Sequence, residues 1–306
     1  MRETVIQTKN IVKRYGKFSA VDDISINVER GDIYALVGQN GAGKTTLLKL
    51  ICGLTPPSGG EIELLGRSSP AQLGEARSHM GTMIETPGFF PYLSAKENLE
   101  YYRIQRGGKV KAKVEDALEF VGLDKTGGKK FKSFSLGMKQ RLGLALAIMD
   151  DPELLILDEP INGLDPMGIK EFRDVILKLN REKKTTVLIS SHILGELSQI
   201  ATTYGFIGKG RLLERDTAEE LKEKCRSSLR IDVDNAELAS DILKSQMGCE
   251  NFHVSGNTLQ IDEKSDSPEL FVKALVEGGV MVSQVFRSGI SLEQYFIKLI
   301  GGIEHA

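Results

Sequence analysis

Residues 38–45 read GQNGAGKT, three glycines followed by a lysine and a hydroxyl side chain. The pattern G-x-x-x-x-G-K-[ST] suits phosphate binding. Its glycines let the backbone N–H groups of Gly38, Gln39, Asn40, Gly41, Ala42 and Gly43 close around an anion. The chain after it reads as a helix, through Thr46 and beyond, and a helix N-terminus favours negative charge. Lys44 is expected to reach the β- and γ-phosphates of a nucleotide, and Thr45 to ligate Mg²⁺. A second candidate cluster is LLILDEP (154–160), which delivers Asp158 and Glu159 at the end of an apolar run. Asp158 is expected to hold Mg²⁺ through its hydration shell. Glu159 is expected to polarise a water for in-line attack on the γ-phosphate as a general base. A third is SSHI (190–193), where His192 ends another apolar run and is expected to contact the γ-phosphate and orient the water.

These groups need a scaffold that brings strand ends together. DIYALVG (32–38) predicts a buried strand, and GKTTLLKLICGL (43–54) a helix with Leu47, Leu48 and Ile51 toward a core. TPPSGGE (55–61) is a turn, followed by a strand at EIELLG (61–66). SAKENLEYYRIQRG and AKVEDALEFVGL predict amphipathic helices. ELLILDEP (153–160) and TTVLISSH (185–192) are continuous apolar runs, the pattern of parallel strands covered on both faces. Strands alternating with helices predict an α/β fold, in which ligands bind at the carboxyl ends of the strands.

The character changes near residue 208. SLRIDVD predicts a strand and NAELASDILKSQM a helix capped by Asn235. NFHVSGNTLQID predicts a hairpin turning at Gly256-Asn257. A helix capped by Ser267 with Pro268 in its first turn follows, then the strand VMVSQVF. A final helix opens with a Ser291/Gln294 capping box. Strand, helix, hairpin, helix, strand, helix is the order of a ferredoxin-like split βαβ unit. The expected domains are 1–215, with a helical subdomain at about 93–150, and a small α+β domain at 216–306.

The bulk numbers narrow the functional classes. At 306 residues the chain is long enough for two domains. Its net charge of −2 argues against nucleic acid as a partner. Basic clusters at KVKAK (109–113) and KTGGKKFK (125–132) read either as solvated surface or as a face near anionic lipid. Cys52, Cys225 and Cys249 are too far apart in sequence to suggest a metal site or a disulfide framework, which fits a cytoplasmic protein. No apolar run reaches the ~18 residues of a membrane span, so a membrane role would come through a partner.

The ordered set GQNGAGKTT, FSLGMKQR (134–141), LLILDEP, NGLDP (162–166) and SSH resembles the ATP-binding subunit of ATP-binding-cassette transporters over about residues 3–215. The resemblance implies a P-loop ATPase core with a mixed sheet, plus antiparallel β and helical subdomains. It implies ATP and Mg²⁺ as ligands and transport-coupled ATP hydrolysis as the activity. Tyr15, in KRYG, matches the aromatic that stacks on adenine. Ser135 and Gly137 match the signature that contacts the γ-phosphate of ATP held by the opposite subunit, and Asp165 matches an acid that crosses the dimer interface. A head-to-tail dimer of nucleotide domains is therefore expected, with itself or with a paralogue, on separate membrane permease subunits at the inner face of the membrane. MIETPGFFPYLSAKENL (83–99), FSLGMKQRLGLALA and the ending SLEQYFIKLIGG are similar to the subfamily that exports bacitracin and lantibiotics and confers resistance or self-protection. Two features depart from the general pattern. The signature Leu-Ser-Gly-Gly-Gln is here Phe134-Ser135-Leu136-Gly137-Met138, and Glu85 stands where most relatives carry Gln. Glu85 is expected to face the metal. Phe89, Phe90 and Tyr92 are expected to form an exposed patch in the 85–94 loop that receives the permease. A soluble ATP-driven switch acting on a ribosome, DNA or a regulator is the alternative.

Overall fold

The computed structural model describes residues 3–85, 88–107, 112–225, 228–249, 251–261 and 267–304. The chain divides into two compact units between Ala218 and Glu219. The first runs β1 (Thr4–Tyr15), β2 (Phe18–Ile24), β3 (Asn27–Glu29), β4 (Ile33–Gly38), α1 (Lys44–Ile51), β5 (Gly59–Leu64), α2 (Pro70–Ser78), β6 (Met80–Met83), α3 (Ala95–Gln105) and α4 (Ala112–Phe120). It continues with α5 (Leu136–Ile148), β7 (Leu154–Leu157), α6 (Pro166–Lys183), β8 (Thr186–Ser191), α7 (Leu194–Leu197), β9 (Thr203–Gly208) and β10 (Arg211–Thr217); α8 (Ala218–Lys224) begins at the division.

The main sheet has the order β10-β9-β4-β8-β7-β6 and is parallel except for β10, which pairs antiparallel with β9. β4, β7 and β8 are buried at every position, as strands covered on both faces must be. A smaller antiparallel sheet pairs β1 with β2, β3 and β5. One core cluster joins the two sheets through α1: Leu47, Leu48, Leu50 and Ile51 pack with Ile6 and Ile11 of β1 and with Leu36, Ile156 and Leu188 of the main sheet. Burial of each such side chain is worth about 1.5–3 kcal/mol. That packing holds α1 in place although its N-terminus has no side-chain cap.

Between β6 and β7 the chain forms the helical region α3–α5. Ser94 opens α3 with a full capping box: Glu97 N–H donates to Ser94 Oγ and Ser94 N–H to Glu97 Oε2. Phe89 is buried, edge-on to Tyr102 and against Phe131. The expectation that Phe89 lines an exposed patch is thereby corrected: its ring meets enough aromatic surface within the chain to leave water. Phe90 and Tyr92 remain exposed, at 42% and 71%. Thr86 and Pro87 of the same loop, and Lys109 and Lys111 of the first basic cluster, lie outside the described residues.

The second unit runs β11 (Ser228–Val233), α9 (Ala236–Ser245), β12 (Phe252–Ser255), β13 (Thr258–Ile261), α10 (Pro268–Glu277), β14 (Val282–Ser288) and α11 (Leu292–Glu304). Its sheet has the order β12-β13-β11-β14 with every pair antiparallel, the topology of the split βαβ unit. Leu229, Ile231, Leu259 and Ile261 pack with Ile242, Leu243, Phe271 and Leu275 in a core of its own. Asn235 caps α9 by accepting from Leu238 N–H, and Ser291 and Gln294 form the expected reciprocal box. Ser267 precedes α10, but its side chain accepts no capping hydrogen bond. Its backbone is turned out of the extended conformation a side-chain cap requires (φ −125°, ψ 64°).

Candidate nucleotide-hydrolysis site

Register in the parallel sheet assembles the site. Leu157 lies opposite Ile189, and Val37 opposite Ser191. Gly38, Asp158, Glu159 and His192 therefore leave the sheet at one carboxyl edge. The loop from Gly38 to Lys44 fits a phosphate in two respects. Gly43 has φ 106°, and a Cβ there would sit 2.5 Å from the Ala20 carbonyl oxygen. Only glycine permits that close turn. The first N–H groups of α1 have no side-chain acceptor, leaving them to an anion.

Lys44 folds back over this loop, donating to the carbonyls of Gly38 (2.7 Å) and Gln39 (3.2 Å). It is 5% exposed, and its ammonium lies 3.0 Å from Glu159 Oε1. The contact is electrostatic: the geometry at Glu159 Oε1 is not that of a hydrogen bond. Glu159 Oε2 lies 2.8 Å from His192 Nδ1. The carboxylate is thus held between a lysine and a histidine, on a backbone with φ 47°. Positive φ at a non-glycine residue costs energy and is retained where the surroundings enforce it. Ser190 enforces it here, since its hydroxyl accepts from Glu159 N–H (2.9 Å) and donates to Asp158 Oδ1 (2.7 Å). Asp158 is itself buried. A phosphate entering the loop offers Lys44 a stronger counter-charge than Glu159 does, so binding would release the carboxylate toward a water.

Glu85, expected to face the metal, has a cation as its partner. Its carboxylate pairs with Lys49 at 2.5 Å, and it too has positive φ, 60°. The Glu85 carboxylate pushes the Lys49 ammonium pKa up. Lys49 sits one helical turn after Thr45 on α1, so Glu85 is tied to the Thr45 face of that helix through an intermediary. Tyr15 is 53% exposed where β1 turns into β2, the strand whose Ala20 abuts Gly43. Lys13 lies over its ring at 5.0 Å.

Ser135, Gly137 and Asp165 form a separate group, lining one open groove with Leu136, Arg141 and Leu164. Ser135 caps α5, accepting from Met138 N–H, and Asp165 caps α6, accepting from Gly168 N–H at 3.0 Å. Among the described residues, none of the three is hydrogen-bonded to Lys44, Glu159 or His192. Three neighbours went unread in the sequence: Ser190, Lys49 and Glu196. Ser190 had a signal, a hydroxyl beside the strand end. Glu196 had none. Burial pushes its carboxyl up, with His192 and Arg173 opposing and Glu159 adding.

Comparison with known proteins decides the family. The ABC transporter profile matches residues 21–162. The chain is 44% identical to a bacitracin transport ATP-binding protein, BcrA, of Enterococcus faecalis, over 98% of this chain and 97% of the relative. The chain belongs to the ABC transporter family. Its first unit is an ATP-binding cassette with ATPase chemistry. A lantibiotic transport ATP-binding protein, SrtF, of Streptococcus pyogenes is 39% identical over 222 residues, 72% of this chain and 95% of the relative. Among solved structures, an ATP-binding cassette of an ABC transporter in its ADP conformation aligns with a TM-score of 0.65 at 26% identity, covering 72% of this chain and 94% of that one. Among the described residues no helix is long and apolar enough to cross a membrane.

Proposed function

We propose that this cassette powers export of a peptide antibiotic of the bacitracin or lantibiotic kind through a separate membrane permease, from the cytoplasmic face of the membrane. The near full-length 44% identity to a bacitracin transport ATP-binding protein carries this reading. In it, backbone N–H groups of residues 38–46 and Lys44 hold the phosphates of ATP, and Tyr15 stacks on the adenine. Thr45 and Asp158 present hard oxygen donors suited to Mg²⁺, which when bound neutralises phosphate charge. Glu85, whose carboxylate pairs with Lys49, is the third candidate oxygen donor. Glu159 accepts a proton from the attacking water, and His192 holds that carboxylate in place. Ser135, Gly137 and Asp165 act on the nucleotide of a second subunit, which explains why they lie in a group of their own.

The permease docks beside the 85–94 loop, where Phe90 and Tyr101 pack at 4.6 Å and Tyr92 and Ile104 stand exposed. Such contiguous apolar surface marks an interaction site. The test is antibiotic tolerance of cells carrying this chain with its permease. Lys44→Ala should abolish tolerance. Phe90→Asp with Tyr92→Asp should release the chain from the membrane fraction while ATPase activity of the purified chain persists. Undiminished tolerance in the Lys44→Ala strain, or purification with ribosomes in place of a membrane protein, would sink the reading.

A further inference from the structure

β14 is an edge of the second unit's sheet: it pairs with β11 and, among the described residues, with nothing on its other side. An edge of seven residues is a template for another strand unless proline, charged residues or a cover blunt it. β14, VSQVFRS, contains no proline, and its first five residues carry no charge. Val285 and Phe286 are 37% and 43% exposed. Val285 lies opposite Ile231, so it turns to the sheet face that carries the core. There it forms one wall of a groove of about 650 Å³. The other wall is a stripe of α10: Glu269, Val272, Lys273, Val276 and Glu277. These positions recur at three and four residues and share one helix face.

The charges on that stripe select the occupant. They read acid, base, acid at four-residue steps, with Val272 and Val276 between them. A uniformly acidic or basic partner would match one sign and clash with the other. A second copy lying antiparallel, with the two-fold axis passing midway between Lys273 and a flanking glutamate, sets Lys273 of each chain against that glutamate of the other. The strand is equally self-compatible. Antiparallel pairing of the strand about Val285 sets Gln284 against Phe286, a pair without charge.

We propose that the second unit is a self-association module, in which two copies of this chain join β14 to β14 across a two-fold axis and pack their α10 stripes side by side. The contact is isologous, as a two-fold requires. It involves no residue of the nucleotide site and needs no ATP. Sedimentation of the full chain without nucleotide tests it. The expected species has twice the 33.6 kDa chain mass. Lys273 is exposed, so Lys273→Glu should leave the fold intact and weaken the dimer by roughly tenfold or more, because like charges then face each other. Glu269→Lys with Glu277→Lys should weaken it likewise. An equimolar mixture of the two variants should regain the dimer, since the facing positions then carry opposite charges again. A chain that stays monomeric at all concentrations, or a dimer indifferent to these charges, overturns the proposal. A dimer that forms only with ATP and is lost on Ser135→Arg also overturns it, while leaving the nucleotide sandwich intact.

Discussion

At the residue scale the decisive contact is Glu159 between Lys44 and His192. The carboxylate is balanced on one side by an ammonium that phosphate would recruit. Glu159→Gln keeps the size of the side chain and removes the base. ATP binding should persist while turnover falls by about 10²–10⁴. Near-normal hydrolysis measured by phosphate release would remove Glu159 from that role. Ser190 is the neighbour that sequence could not rank, because a serine at a strand end has many ordinary uses. Its hydroxyl serves Asp158 and Glu159 at once, in a buried place. Ser190→Ala strips a partner from both and should cost on the order of 1–3 kcal/mol of stability. It should lower kcat for ATP more than it raises KM, since Glu159 loses its orientation while the phosphate loop is untouched. A thermal melt and a kcat–KM pair read the two effects apart. The phosphate loop, Asp158, Glu159 and His192 were legible because their spacing is set by backbone geometry. Glu85 was not, because its partner Lys49 sits 36 positions away in sequence and no local pattern announces an ion pair.

At the element scale, strands buried on both faces and amphipathic helices were readable, since each burial pattern has its own period. β1 through β3 were not. β1 pairs with three strands, and its register shifts between Thr4 and Ile6, Lys9 and Val12, and Ile11 and Lys13. Each shift breaks the two-residue alternation by which a strand is recognised. The start of α3 shows the opposite case, a device compact enough to test alone. The Ser94 N–H, then the Ser94 hydroxyl and the Lys130 ammonium, hold the Glu97 carboxyl at about 2 against an ordinary 4.5. A folded value below the unfolded one contributes stability that is present above the ordinary value and is lost as pH falls toward the folded one. The difference in melting temperature between the wild type and Glu97→Gln should therefore be constant from neutral pH to about 4.5 and shrink from there toward about 2. A difference that stays constant down to about 2 would show that the box does not depend on the ionised carboxylate.

At the scale of the whole molecule, the separation of two groups within the first unit acquires a consequence. The phosphate loop with Glu159 and His192 is one group; Ser135, Gly137 and Asp165 are another, in which Ser135 and Asp165 each cap a helix. If hydrolysis uses the second group in trans, two differently disabled chains should repair each other. Lys44→Ala loses the phosphate loop and keeps the signature; Ser135→Arg does the reverse. Each alone should be inactive. In a mixed head-to-tail dimer, the phosphate loop of the Ser135→Arg chain faces the signature of the Lys44→Ala chain, and one site of two is whole. Random pairing makes half of the dimers mixed, so an equimolar mixture after subunit exchange should reach about a quarter of wild-type turnover. The recovery should follow the product of the two concentrations, because it requires one chain of each kind. Activity of the mixture no greater than that of the separate variants would mean that each chain works with its own signature or with none, and Ser135, Gly137 and Asp165 would then be left with only the local capping and packing duties their hydrogen bonds already perform.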